Sequence, residues 1–197
     1  MLTEKDTIKC ESVFNEDHTH RFLWKRVWNK DKPLATVIML NPCLADNILM
    51  DTTTYLVVNN IARLEKYGGV VVVNLYSKLT SKLCTKWNAP EELNDPVNDN
   101  YIRKAAEESE IVIAAWGKSC DNNQQIAERV EEVLGVLGGF ENKIHYISDG
   151  IRVGIHPLTP SIRDEWFLVT LREYIALTSG PASAGSQKKE EQTEKSL

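Results

Sequence analysis

Three polar motifs each follow an apolar run. Asn41-Pro42 follows Thr36-Val37-Ile38-Met39-Leu40, Asn74 follows four valines at 70–73, and His156-Pro157-Leu158 follows the run at 151–155. A side-chain amide offers one acceptor and two donors, so Asn41 can orient a water or a carbonyl, while Pro42 lacks an N–H and fixes the turn. Asn-Pro after a strand is also ordinary turn chemistry. Asn74 interrupts the valines where a sheet is still buried, and an unpaired amide there costs about 1–3 kcal/mol. A bidentate contact to a planar heterocycle satisfies it, and so does a bond to neighbouring loop backbone. His156 is the best-placed titratable group: a neutral imidazole at a strand end can donate to an oxygen that becomes anionic during reaction, or serve as a satisfied structural histidine.

Around these stand further residues with chemical reach. Asp46 and Asp51 flank 47–50 ahead of a helical segment, where each can cap N–H groups or act as an anion or general base. Capping suits Asp51, and Asp46 lies closer to the strand end. In Trp116-Gly117 the glycine permits close approach of a ligand and the indole offers a stacking surface or a core side chain. Lys78, Lys82 and Lys86 follow Asn74, and Arg152 and Arg163 bracket His156, which makes the rim locally basic and suited to a phosphate-bearing ligand unless these are simply solvated cations.

Continuous β-branched runs read as strands buried on both faces, the kind found in parallel sheets. Helical patterns at residues 53–66 and 124–137, each followed by a Gly pair, and at 101–108 after a cap at Asn98, alternate with strands at 34–40, 70–76, 111–116 and 143–147. The expected fold is α/β, a three-layer α/β/α arrangement with a mostly parallel central sheet. An antiparallel hairpin around 13–28 adds an edge, and a last helix from Ser161 carries Trp166, Phe167, Val169, Leu171 and Ile175. Residues 1–178 form one domain, and 179–197, rich in Gly, Ser, Lys, Glu and Gln, form a disordered polar tail. Ligands of open α/β sheets bind at the carboxyl ends of the strands, so Asn41, Asn74, Trp116 and His156 are expected to line one cleft.

The 23 Lys and Arg against 28 Asp and Glu give a net charge of −5, so nonspecific nucleic-acid binding, which shows a basic excess, is not indicated. Any nucleic-acid contact must use a local basic patch. Cys10, Cys43, Cys84 and Cys120 form no C-x-x-C pair and no zinc-ligand spacing, so neither metal nor disulfide framework is expected. No apolar stretch approaches the roughly 20 residues of a membrane span; a cytoplasmic protein without membrane contact is the expectation.

In order, Leu40-Asn41-Pro42, Asn74-Leu75-Tyr76-Ser77-Lys78-Leu79-Thr80, Ala115-Trp116-Gly117 and His156-Pro157-Leu158-Thr159-Pro160-Ser161 resemble the motif series of the uracil-DNA glycosylase superfamily. From Arg21 to Pro160 the chain more closely resembles a bacterial and phage family, domain-of-unknown-function family 1643, whose recurring motifs read here as Asn41 to Asp46, Asp51-Thr52-Thr53, Asn74-Leu75, Trp116-Gly117 and His156 to Leu158. Cys43-Leu44 stands where that family has Ser-Thr, and Leu158-Thr159 replaces the longer Ser-Pro segment of the glycosylases.

The glycosylase resemblance implies an N-glycosidic hydrolase in which Asn41 activates water, Asn74 reads the base and His156 stabilises the base anion, with neither metal nor cofactor. Its ligand is a nucleobase, a nucleotide or DNA; in duplex DNA the base must be flipped at a cost of a few kcal/mol. The alternative is a binding module in phage or bacterial defence or regulation that recognises a nucleotide or DNA without cleaving it.

Overall fold

The computed structural model describes residues 1–44, 47–86 and 88–179. Seven strands form one sheet: β1 (Lys9–Phe14), β2 (Arg21–Val27), β3 (Leu34–Met39), β4 (Gly69–Asn74), β5 (Ile111–Ala114), β6 (Ile144–Ser148) and β7 (Phe167–Thr170), in the spatial order β1-β2-β4-β3-β5-β6-β7. Helices α1 (Thr52–Arg63), α2 (Pro90–Leu93), α3 (Asn98–Glu108), α4 (Gln124–Val136) and α5 (Leu171–Thr178) complete the set.

Strand alternation divides the core in two. Val71, Val73, Val112 and Ala114 pack with Ile102 and Ala105 of α3 and Ile126 and Val133 of α4. Val70, Val72, Val37 and Ile113 pack with Val57 and Ile61 of α1 on the other face. Helices thus cover both faces, which explains why all six residues of β4 are buried and why its sequence is a continuous apolar run.

The sheet is mixed, which corrects the expectation of a mostly parallel one. Parallel pairing joins β3 to β4, β3 to β5 and β5 to β6. Antiparallel pairing joins β1 to β2, β2 to β4 and β6 to β7. The N-terminal hairpin is present with β1 at the edge, and its second strand continues the sheet against β4.

Two expected elements are differently built. The run at 151–155 is not a strand: the Asp149 carboxylate accepts from the N–H groups of Ile151 and Arg152, a turn results, and Val153 makes only an isolated bridge to Ser148. The expected helix from Ser161 divides. Leu168 and Val169 pair with β6 as part of β7, and Thr170 starts α5 through a capping box with Glu173. Ser161 instead donates its hydroxyl to Asp149.

Two local features also differ from the expectation. Helix α1 stops at Arg63, with Glu65 at φ 54, before the glycine pair. Gly68 serves packing: a Cβ there would stand 1.8 Å from the Asn29 carbonyl oxygen. Asn98 is not a cap but the buried first residue of α3, and its amide donates to the carbonyls of Asn74 (3.0 Å) and Leu75 (3.4 Å). Among the described residues no helix is long and apolar enough to cross a membrane. The tail expected at 179–197 lies outside the described residues apart from Ser179.

Candidate functional site

The carboxyl ends of three adjacent parallel strands are level. Met39 pairs with Asn74, Ile38 with Ala114, and the N–H groups of Leu75 and Ala115 reach the carbonyls of Met39 and Ile38, both at 2.8 Å. Asn41, Asn74 and Trp116 therefore emerge along one edge, two of them just beyond the ends of β3 and β5.

Asn74 is 2% exposed and continues the row of Val70 and Val72, so its side chain points to the α1 side. Its Nδ2 is buried without a hydrogen-bond partner among the described residues. Asn41 donates Nδ2 to the carbonyls of Thr80 (3.0 Å) and Pro42 (3.2 Å), tying the loop after β3 to the loop after β4. No described residue donates to its Oδ1, which stays available as an acceptor.

Asp51 caps α1, as its sequence position suggested, and does more than cap. Oδ1 accepts from the N–H groups of Thr53 and Thr54, and Oδ2 from the Thr54 hydroxyl (2.6 Å) and the Cys43 thiol (2.8 Å). Four donors occupy the roughly four acceptor sites of a carboxylate. Although burial works the other way, these bonds hold the Asp51 carboxyl below its ordinary range. Buried Arg21 comes to the same place because its N–H pairs with the Ser77 carbonyl beyond β4. Burial lowers the guanidinium's affinity for its proton, and Cys43 and Asp51 beside it act against that.

His156 sits in the loop after β6, not at a strand end. Ile155 and Ile162 anchor that loop in the α1-side core, and the Asn60 amide holds the Arg163 carbonyl at 3.1 Å. Asp149 binds Arg152 and Ser161 across the loop's base, so the Arg152 charge is paired rather than free for a ligand. Gly117, at φ +72, lets His156 approach β5 closely, since a Cβ at Gly117 would stand 2.8 Å from that of His156. Burial pushes the His156 imidazole below its ordinary value, outweighing the favourable Asp51 charge. The Leu158 N–H donates to Nδ1 at 3.2 Å, so in the neutral ring the proton resides on Nε2.

Asn74 thus points to the α1 side of the sheet, where Asp51 at the start of α1 bonds Cys43 and its charge bears on His156. Trp116 does not join them. Its ring packs in the opposite core, edge-on to Tyr146 at 6.1 Å, and with Gly117 it lines a separate cavity of about 260 Å³. Pro42 is buried; Lys78 lines another opening beside Thr80, and the Arg163 side chain is exposed. Asp46 lies outside the described residues. Among those described, no group of three or more His, Cys, Asp or Glu is arranged to hold a metal ion.

Arg21, Cys43 and His20 belong to this region without any motif in the sequence marking them as site residues. His20 is in fact buried, with Nδ1 2.8 Å from the Ser77 hydroxyl. The available signal was positional: His20-Arg21 opens a strand that pairs with β4 next to Asn74.

A family model described as "Protein of unknown function (DUF1643)" matches residues 21–158. The chain belongs to this family, and the match spans β2 through the His156 loop. Comparison with curated proteins and with solved structures gives no significant match.

Proposed function

We propose that the α1-side rim recognises a nucleobase and that the protein is an N-glycosidic hydrolase acting on a base in DNA or a nucleotide. The observation that carries this reading is the Asn74 amide: a donor buried at a strand end with no partner among the described residues. Such a group costs about 1–3 kcal/mol unless something pairs with it, and the carbonyl edge of a base supplies the missing acceptor.

The surrounding groups fit the chemistry. The attacking oxygen is that of a water held by Asn41 Oδ1, and it bonds to the sugar carbon as the C–N bond pair leaves on the base. The base carries that charge on a carbonyl oxygen, to which the His156 Nε2–H donates from a ring kept neutral by burial. Asp51, its acceptor sites filled, holds the site together instead of taking the water proton, and that role falls to Asp46.

Calorimetry of uracil and related bases tests recognition: Asn74→Ala should weaken binding by about 1–3 kcal/mol with the fold intact. Single-turnover release of free base from labelled uracil-containing single- and double-stranded DNA tests hydrolysis. In that assay His156→Ala should lose on the order of a hundredfold in rate with little change in binding. Unchanged affinity in the Asn74 variant ends the recognition reading, and binding without any base release leaves a non-catalytic nucleotide- or DNA-binding module.

A further inference from the structure

The rim adjoins a second opening of about 350 Å³, whose lining includes His20, Lys78, Thr80, Lys82 and Glu92. Asn41 marks the boundary, because the Thr80 carbonyl that it holds belongs to this opening's wall. His20 is 9% exposed, and Ser77 engages its Nδ1 while Nε2 has no partner among the described residues. Neither Lys78 nor Lys82 forms an ion pair with a described residue. Glu92, the acid in the lining, accepts from the Asn88 amide at 3.0 Å.

We propose that this opening is an anion site that takes a phosphate group, held by Lys78, Lys82 and the Nε2–H of His20. Two ammonium groups give the charge, and the imidazole adds a directional donor at the buried end. Burial and Lys78 keep the His20 imidazole below its ordinary value, although Asp95 and Asp17 favour its charged form. An anion beside Nε2 reverses that balance, so binding draws in a proton. The inference deepens the reading of the adjoining rim: the phosphate is either a free ion or that of a nucleotide whose base reaches Asn74.

The test follows the His20 ring proton by NMR across pH in the full chain, at constant ionic strength, with inorganic phosphate, deoxyuridine and deoxyuridine monophosphate as separate probes. Inorganic phosphate should bind saturably and raise the His20 pKa. Lys78→Gln with Lys82→Gln should weaken it by about tenfold or more, and Asn74→Ala should leave phosphate binding unchanged, so this site and the base reading can fail separately. Tighter binding of the monophosphate than of the nucleoside, lost in the lysine variant, identifies a nucleotide; phosphate binding without that gain identifies a free ion. The proposal is overturned if phosphate leaves His20 unmoved in the folded wild type, if the lysine variant binds it equally well, or if Asn74→Ala abolishes it.

Discussion

The close approach of Gly117 to His156 can be tested by adding one methyl group. Gly117→Ala meets two costs: an L side chain at φ +72, and a Cβ only 2.8 Å from His156 Cβ. The first is about 1–2 kcal/mol. The second depends on whether the His156 loop gives way, and that loop is held by Asp149, by Asn60 and by the buried Ile155 and Ile162. Gly150→Ala and Gly139→Ala isolate the first cost, because these glycines have φ +86 and +92 and a Cβ at either meets nothing within 4 Å. Thermal or denaturant unfolding should therefore show losses of about 1–2 kcal/mol for the two controls, a few degrees in Tm for a chain of this size. Gly117→Ala should lose about 1 kcal/mol more, as is typical for forcing extra atoms into a packed contact, and its His156 resonance should move while those of the controls stay. Equal losses in all three variants, with an unmoved His156, would refute the claim that Gly117 is there for His156.

Other expectations follow from the same geometry. Asp51→Ala removes the α1 cap and leaves the Cys43 thiol and Thr54 hydroxyl without their acceptor, so chemical denaturation should show a loss of about 1–2 kcal/mol. Asp51→Asn, which keeps an acceptor oxygen, should recover part of it. His20 and His156 both hold protons less tightly in the folded chain than the ordinary value of 6.5. The unfolded chain therefore binds more protons below pH 6.5, and stability should fall as pH drops from there toward their folded values. His156→Gln should flatten that slope; a slope identical to wild type would contradict a buried neutral ring.

The sequence reveals the layered core more readily than the order of the sheet, and the reason is physical. A run such as Val70 to Val73 records burial on both faces, but burial alone does not say whether a neighbour runs parallel or antiparallel. That depends on connections. At Asp149 two N–H groups are captured by a side chain, and the apolar run after it becomes a turn; at Thr170 a capping box divides what periodicity joins. The polar residues that end strands were legible for the same reason that the strands were, since Asn41 and Asn74 interrupt patterns whose meaning is plain. Arg21, His20 and Cys43 break no pattern. Arg21 and His20 acquire their places only when β2 pairs with β4, and Cys43 only when Asp51 caps α1 and accepts from its thiol, contacts that no local periodicity records. The same long-range pairing separates Trp116 from Asn74: both terminate or follow neighbouring strands, but side-chain alternation sends one to α1 and the other to α3 and α4. Position along a strand edge is thus readable from motif order, whereas the face that a side chain serves is fixed by register, and it is the face that brings His156, Asp51 and Asn74 to one side of the sheet.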